Sequence, residues 1–222
     1  MAKNILQEPS KNFNDTIALF ASGIEGFFDG QIAKETIYVK GGTKNLNGDV
    51  MLAEIKIATK LKQSSDYYRE YDEENSTHLV RQTNVCKDSF VSGKNFIGHK
   101  TTFKEKQSVE IRLEPNDKAI YGGDKHCIAA VIKHLGVGVG LSINTDGVPT
   151  YKKNKIKIDG ASKVEIFIKV TTGLNPISQK RETDENRLLE NLRGQMYLME
   201  SELFDVLKMK HLMDIDKLKI ME

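Results

Sequence analysis

The histidines, the cysteines and one glycine-rich run are where this chain could do chemistry. The histidines are His78, His99, His126, His134 and His211, the cysteines are Cys86 and Cys127, and the run is GVGVGLSINTDG over residues 136–147. A zinc site needs three or four ligands at short, regular spacings. His126-Cys127 followed by His134 does not supply one, and neither HExxH nor a CxxC pair occurs. No GxSxG or cysteine-protease signature points to a nucleophile. A dinucleotide fingerprint requires GxGxxG between a strand and a helix, so that backbone N–H groups meet the pyrophosphate. Here the spacing is GxGxG and Leu-Ser-Ile-Asn-Thr-Asp-Gly follows, which reads as a strand softened by glycine and closed by a turn at Asp146-Gly147. Neither a cofactor nor a metal ion is expected, and no residue stands out as catalytic.

The elements that must position these residues fall into two kinds. Up to about Gly173 the chain reads as short strands. Val50–Ile57 ends in strict alternation of apolar and polar residues, and Val109–Leu113 alternates and stops at Pro115-Asn116-Asp117. Lys155–Ile158 and Val164–Val170 alternate again, joined through Asp159-Gly160, which predicts a hairpin. One buried and one wet face per strand favours antiparallel pairing, and the repeated turn signals without intervening helices predict a β-sandwich. After Pro176 the pattern changes. Leu188, Leu192, Met196, Met199, Leu203 and Leu207 recur at steps of three and four, with Glu190, Arg193, Glu200 and Lys208 opposite. Asp184 and Glu185 suit the start of that helix, Lys208, Lys210 and His211 suit its end, and a second short helix is expected from Asp214. The fold expected is therefore mainly β: a large antiparallel β-sandwich over residues 1–176, followed by C-terminal linker helices over 177–222. A helix apolar on one side either lies across a sheet face or reaches towards a further domain. In the second case Leu192, Met196, Met199, Leu203 and Leu207 form an interface left partly open in the chain alone.

Composition narrows the partners. With 33 Lys and Arg against 31 Asp and Glu, the net charge of +2 offers no excess to hold a nucleic-acid backbone. The basic run Tyr151–Lys155 reads as a solvated edge. No apolar run is long enough to span a bilayer, so no membrane partner is expected. The start MAKNILQEPSKNFND lacks the apolar core of a secretory signal, which makes the cytoplasm the expected location and reduced thiols the expected state of both cysteines.

Four stretches, taken in order, resemble the N-terminal part of glycoside hydrolase family 95, the α-L-fucosidases and related α-L-galactosidases. Phe13-Asn14-Asp15, Ala18–Gly26 and Glu35–Val39 resemble the family's opening aromatic residue, glycine-rich segment and glutamate-led strand. Gly48-Asp49-Val50 and Tyr67–Asp72 resemble its "GDL" and "YxReLDL" segments. Thr102-Phe103 with Ser108–Leu113 resembles its third strand motif, and Ile158–Ile168 ending in Thr171-Thr172 resembles "vxGAdxvxlxlxxxT". His211–Leu218 is similar to the ending of the family's linker helices. The resemblance implies a large β-sandwich, helical linkers and then an (α/α)6 barrel that carries the catalytic acid and the groups activating water. That barrel would begin after Leu218, so the chain is expected to be non-catalytic by itself, a truncated or split enzyme whose barrel comes from a further domain or a separate chain. The family's glycine loop is replaced by Ala21-Ser22-Gly23, its next segment is shortened to Val39–Gly42, and the chain has no tryptophan, which argues against direct sugar stacking. Two other functions remain open. One is a freestanding carbohydrate-binding or interaction module using Tyr67, Tyr68 or Tyr151; the other is a structural chain that self-associates through its helix.

Overall fold

A computed structural model describes residues 5–7, 19–27, 33–42, 50–59, 67–71, 78–83, 85–92, 97–133, 135–171, 182–200, 204–210 and 213. Its strands are β1 (Ile5–Gln7), β2 (Leu19–Phe27), β3 (Ala33–Gly42), β4 (Val50–Thr59), β5 (Tyr67–Tyr71), β6 (His78–Thr83) and β7 (Cys86–Ser92), then β8 (Ile97–Pro115), β9 (Ala119–Gly123), β10 (Cys127–Ile132), β11 (Val137–Thr145), β12 (Val148–Lys152) and β13 (Lys155–Thr171). The helix α1 covers Glu185–Glu200, and residues 204–210 are also helical. All strands join one 13-stranded sheet in the order β1-β2-β3-β4-β8-β13-β11-β10-β9, with β5, β6 and β7 leading into β8 and β12 lying on β13. Every pairing is antiparallel.

Two long strands turn this sheet into a sandwich. β8 pairs with β7 through Ile97–Phe103 and with β4 through Val109–Pro115. β13 pairs with β12 through Lys155–Asp159 and with β11 through Val164–Thr171. Between those halves the β8–β13 register shifts twice, at Ile158/Ala161 and at Ala161/Lys163. Each extra residue bends the strand, so the halves enter different layers. Ile156, Ile158, Ala161, Val164, Ile166 and Ile168 all reach the same core across the break, because the two shifts together restore the alternation. That core takes Ile37, Val39, Ile55, Ile57 and Ile111 from one layer and Phe90, Ile97, Ile128, Leu141 and Ile143 from the other. Burying such side chains contributes about 1.5–3 kcal/mol each and holds the layers face to face.

The hairpin expected at Asp159-Gly160 is corrected: these residues lie inside β13, exposed, at the bulge, where Gly160 takes a φ of 70°. Asp-Gly serves a left-handed bulge as readily as a hairpin turn. The hairpin in this region is β12–β13, closed at Lys152 and Lys155 with Lys153 at φ 55°. The Asp146-Gly147 turn carries the chain from β11 in one layer to β12 in the other. Asp146 Oδ1 accepts the backbone N–H of Ser162 and of Lys163, both at 2.9 Å, and so ties the turn to the bend in β13. Burial works to raise the Asp146 carboxyl, but the Ser162 hydroxyl and these N–H groups outweigh it and hold it below its ordinary range.

Candidate functional site

The outer face of β9, β10 and β11 is where the sequence becomes unusual. All of β10 and most of β11 are buried on both faces. Val137, Val139 and Leu141 point into the sandwich, while Gly138 and Gly140 face α1. A Cβ on Gly138 would stand 2.9 Å from Leu192 Cδ2, and one on Gly140 would stand 2.9 Å from Met196 Sδ. With Cys127, Ala129 and Val131 beside them, these glycines make a shallow seat on which Leu188, Leu189, Leu192 and Met196 close. Asp184 caps the helix: its Oδ1 accepts the N–H of Asn186 at 2.9 Å and of Arg187 at 3.2 Å. The glycine run is thus a docking strip for a helix.

This arrangement corrects the expectation of an open stripe at Leu192 and Met196. Leu192 and Met196 are completely buried against the chain's own sheet. Met199 and Leu207 are half-buried and pack by Phe204, while Leu203 lies outside the described residues. Among the described residues the most exposed large apolar side chains are Leu198 (75%), Val148 (69%), Met209 (63%) and Met213 (56%).

Three polar clusters stand out, two beside the docked helices and one inside the sandwich. At the β9–β10 turn, Asp124 Oδ1 accepts the N–H of His126 at 2.8 Å and of Cys127 at 3.2 Å, and Tyr197 of α1 donates its hydroxyl to Oδ2. Burial favours the neutral Asp124 carboxyl, but the tyrosine and backbone donors prevail and hold it low. The same bond to Asp124 raises Tyr197. Beside them, burial and then the Asp124 charge push the Cys127 thiol up to about 11. A thiol in that range stays protonated and is a poor nucleophile. This cluster fastens the helix to the turn.

The second cluster lies on the same outer face towards β8. Glu165 is buried, with Lys100 Nζ at 3.5 Å, Lys163 Nζ at 3.6 Å and Asn144 Nδ2 donating to Oε2 at 3.2 Å. Lys100 also pairs with Asp205 at 2.5 Å and stands 5.9 Å from the centre of the Phe204 ring. The third cluster faces the interior. Asp88, His99 and Thr101 are buried there, with His99 Nε2 3.9 Å from Asp88 Oδ2, and Arg81 of β6 is the register partner of Asp88.

The remaining sequence candidates are scattered. His126 contributes its backbone N–H to Asp124, His78 lies in β6, and His134 and His211 fall outside the described residues. Cys86 sits in the inter-layer core and Cys127 on the helix-facing side, and neither forms a disulfide. Among the described residues no group of three or more His, Cys, Asp or Glu is placed to hold a metal ion. Tyr67 and Tyr68 fall in β5, and half-buried Tyr151 packs against the core from β12. No described helix is long and apolar enough to cross a membrane. Asp124–Tyr197 and Glu165–Lys100 escaped the sequence reading because each joins residues more than sixty positions apart.

Fold and clusters together define an antiparallel β-sandwich with helices docked on one outer face. No family model matches the sequence. No curated protein matches it either. Among solved structures the chain is similar to "Putative kojibiose phosphorylase from human microbiome", with a TM-score of 0.34 and 8% identity over 94% of this chain. The chain spans 26% of that protein's length.

Proposed function

We propose that this chain is the β-sandwich and linker part of an α-L-fucosidase-like glycoside hydrolase, without hydrolytic activity of its own. Its partner is an (α/α)6 barrel, on the same polypeptide or on another chain. The reading rests on the ordered resemblance from about Phe13 to Ile220, and the succession of sandwich and amphipathic helix agrees with it. The observation that carries the non-catalytic part is the state of three partly or fully buried carboxylates among the described residues. Glycoside hydrolysis needs two carboxyl groups facing one another across a sugar, one able to give a proton and one to attack or activate water. Here Asp124 is committed to Tyr197 and to backbone donors, Glu165 to Lys100 and Asn144, and Glu110 to Lys155 and Arg112. Each serves as scaffold.

Incubating the purified chain with an aryl α-L-fucoside tests this reading: no fucose release is expected, and clear turnover lost on denaturation would overturn it. A second reading, a freestanding interaction module, is favoured by the exposure of Leu198, Met209 and Met213. Self-association or capture of a protein other than a barrel would support that reading instead.

A further inference from the structure

Three neighbouring positions in the outer sheet frame the seat of Phe204. Gly98 of β8 is the register partner of Val91 on one side and Phe167 on the other, so a residue without a side chain stands between two buried apolar ones. One pair along, Lys100 stands between Ser89 and Glu165. The Phe204 ring is buried against Val91 and Phe167, and Asp205 pairs with Lys100. An aromatic ring and the carboxylate that follows it are therefore read side by side, one by the seat at Gly98 and the other by a lysine.

We propose that the seat at Gly98 and Lys100 form a docking site for a peptide carrying an aromatic residue followed directly by an acidic one. In this chain the site is occupied in cis by Phe204-Asp205, which act as a releasable latch. This inference is independent of the hydrolase reading.

The physical case rests on the contrast between the two helices. α1 is capped and buries Leu188, Leu189, Leu192 and Met196 on its glycine seat. The stretch 204–210 fully buries only Phe204. Asp205 remains 70% exposed, so its pair with Lys100 is of the weak, screened kind. The site beneath does not depend on its occupant. Glu165 and Asn144 belong to the sheet, and Glu165 continues to hold Lys100 when Asp205 leaves. A preformed receptor under a marginal occupant exchanges that occupant for a competitor in solution.

The test uses the full chain and a fluorescent peptide copying residues 204–210, FDVLKMK, read by polarisation. Phe204→Ala empties the seat, and the peptide is expected to bind this variant far more tightly than the wild type. The cost of removing a buried Phe corresponds to about a hundredfold or more in occupancy by the cis segment. The same peptide with Phe replaced by Ala, or Asp by Asn, should bind more weakly, and Gly98→Val, which fills the seat, should abolish binding. Acylation of Lys100 mapped by mass spectrometry reads the latch without the peptide. Asp205→Asn leaves Phe204 in place, and there the rate should rise about two- to fivefold, the worth of an exposed ion pair. Failure of the peptide to bind folded Phe204→Ala, binding that survives Gly98→Val, or an unchanged acylation rate in Asp205→Asn would each overturn the proposal.

Discussion

Replacing Gly140 with valine puts a branched side chain where α1 already lies. A Cβ there stands 2.9 Å from Met196 Sδ, 3.0 Å from Met196 Cγ and 3.1 Å from Leu192 Cδ1. Carbon contacts are most favourable at about 3.5–4.0 Å, so the helix must lift by roughly half an ångström or its side chains must leave their rotamers. Overpacking of this kind costs about 1–3 kcal/mol. Valine recovers part of that, because it suits a strand and restricts the unfolded chain, each worth up to about 1 kcal/mol. The net loss expected is about 1–2 kcal/mol, seen as a lower urea midpoint at unchanged slope. Met196→Ala, which on its own opens a cavity costing about 2–5 kcal/mol, removes the atoms the valine strikes. The double variant should therefore be more stable than the sum of the single losses implies, by about 0.5–3 kcal/mol, the range for side chains in contact. A neutral Gly140→Val, or single effects that simply add, would refute the reading of the glycine run as a helix seat.

Other outcomes follow from the same geometry. Gly147→Ala should lower the urea midpoint by an amount worth about 1–3 kcal/mol. Its Cβ would meet the Asp159 carbonyl at 2.9 Å and the Ala161 nitrogen at 3.0 Å, and backbone cannot step aside. The folded state holds Asp124 below its ordinary value, so its contribution is present above about pH 4 and lost as the pH falls through the folded value. Tyr197 is raised, so its contribution is present below about pH 10 and lost as the pH climbs through its higher folded value. Urea midpoints against pH should therefore lose part of the acid limb in Asp124→Asn, with other depressed carboxyls such as Asp146 and Glu110 contributing to the rest, and part of the alkaline limb in Tyr197→Phe. Cys127, buried and with its thiol pushed up to about 11, should react with an aromatic disulfide reagent at pH 8 only when the chain is unfolded. Fast labelling of native protein would contradict the docked position of α1.

Alternation and helical spacing carried much of this fold in plain view. Val50–Ile57 and Val109–Leu113 lie in β4 and β8, and the stripe through Leu188, Leu192 and Met196 is the buried side of α1. Local signals do not say which partner a strand will take, and this hid the rest. Asp159-Gly160 has the chemistry of a turn and of a bulge alike; only β8 alongside, keeping its pairing on both sides of the break, makes it a bulge. The glycines at 138 and 140 read as a weakened strand until the helix that needs their missing side chains is in place. Gly98 means nothing in sequence, since its role depends on Val91 and Phe167, which reach it through two different strand pairings. Buried charge is hidden in the same way: Glu165 looks like any solvent-facing position of an alternating strand, and only Lys100, Lys163 and Asn144 beside it account for its burial.

The proposed role is tested most directly by mixing the chain with an isolated (α/α)6 barrel of the α-L-fucosidase kind and measuring mass by light scattering on a gel-filtration column. The account predicts an equimolar complex at micromolar concentrations, with fucoside hydrolysis confined to fractions that contain the barrel. Separate elution of the two proteins, or hydrolysis by the chain free of any barrel, would contradict it.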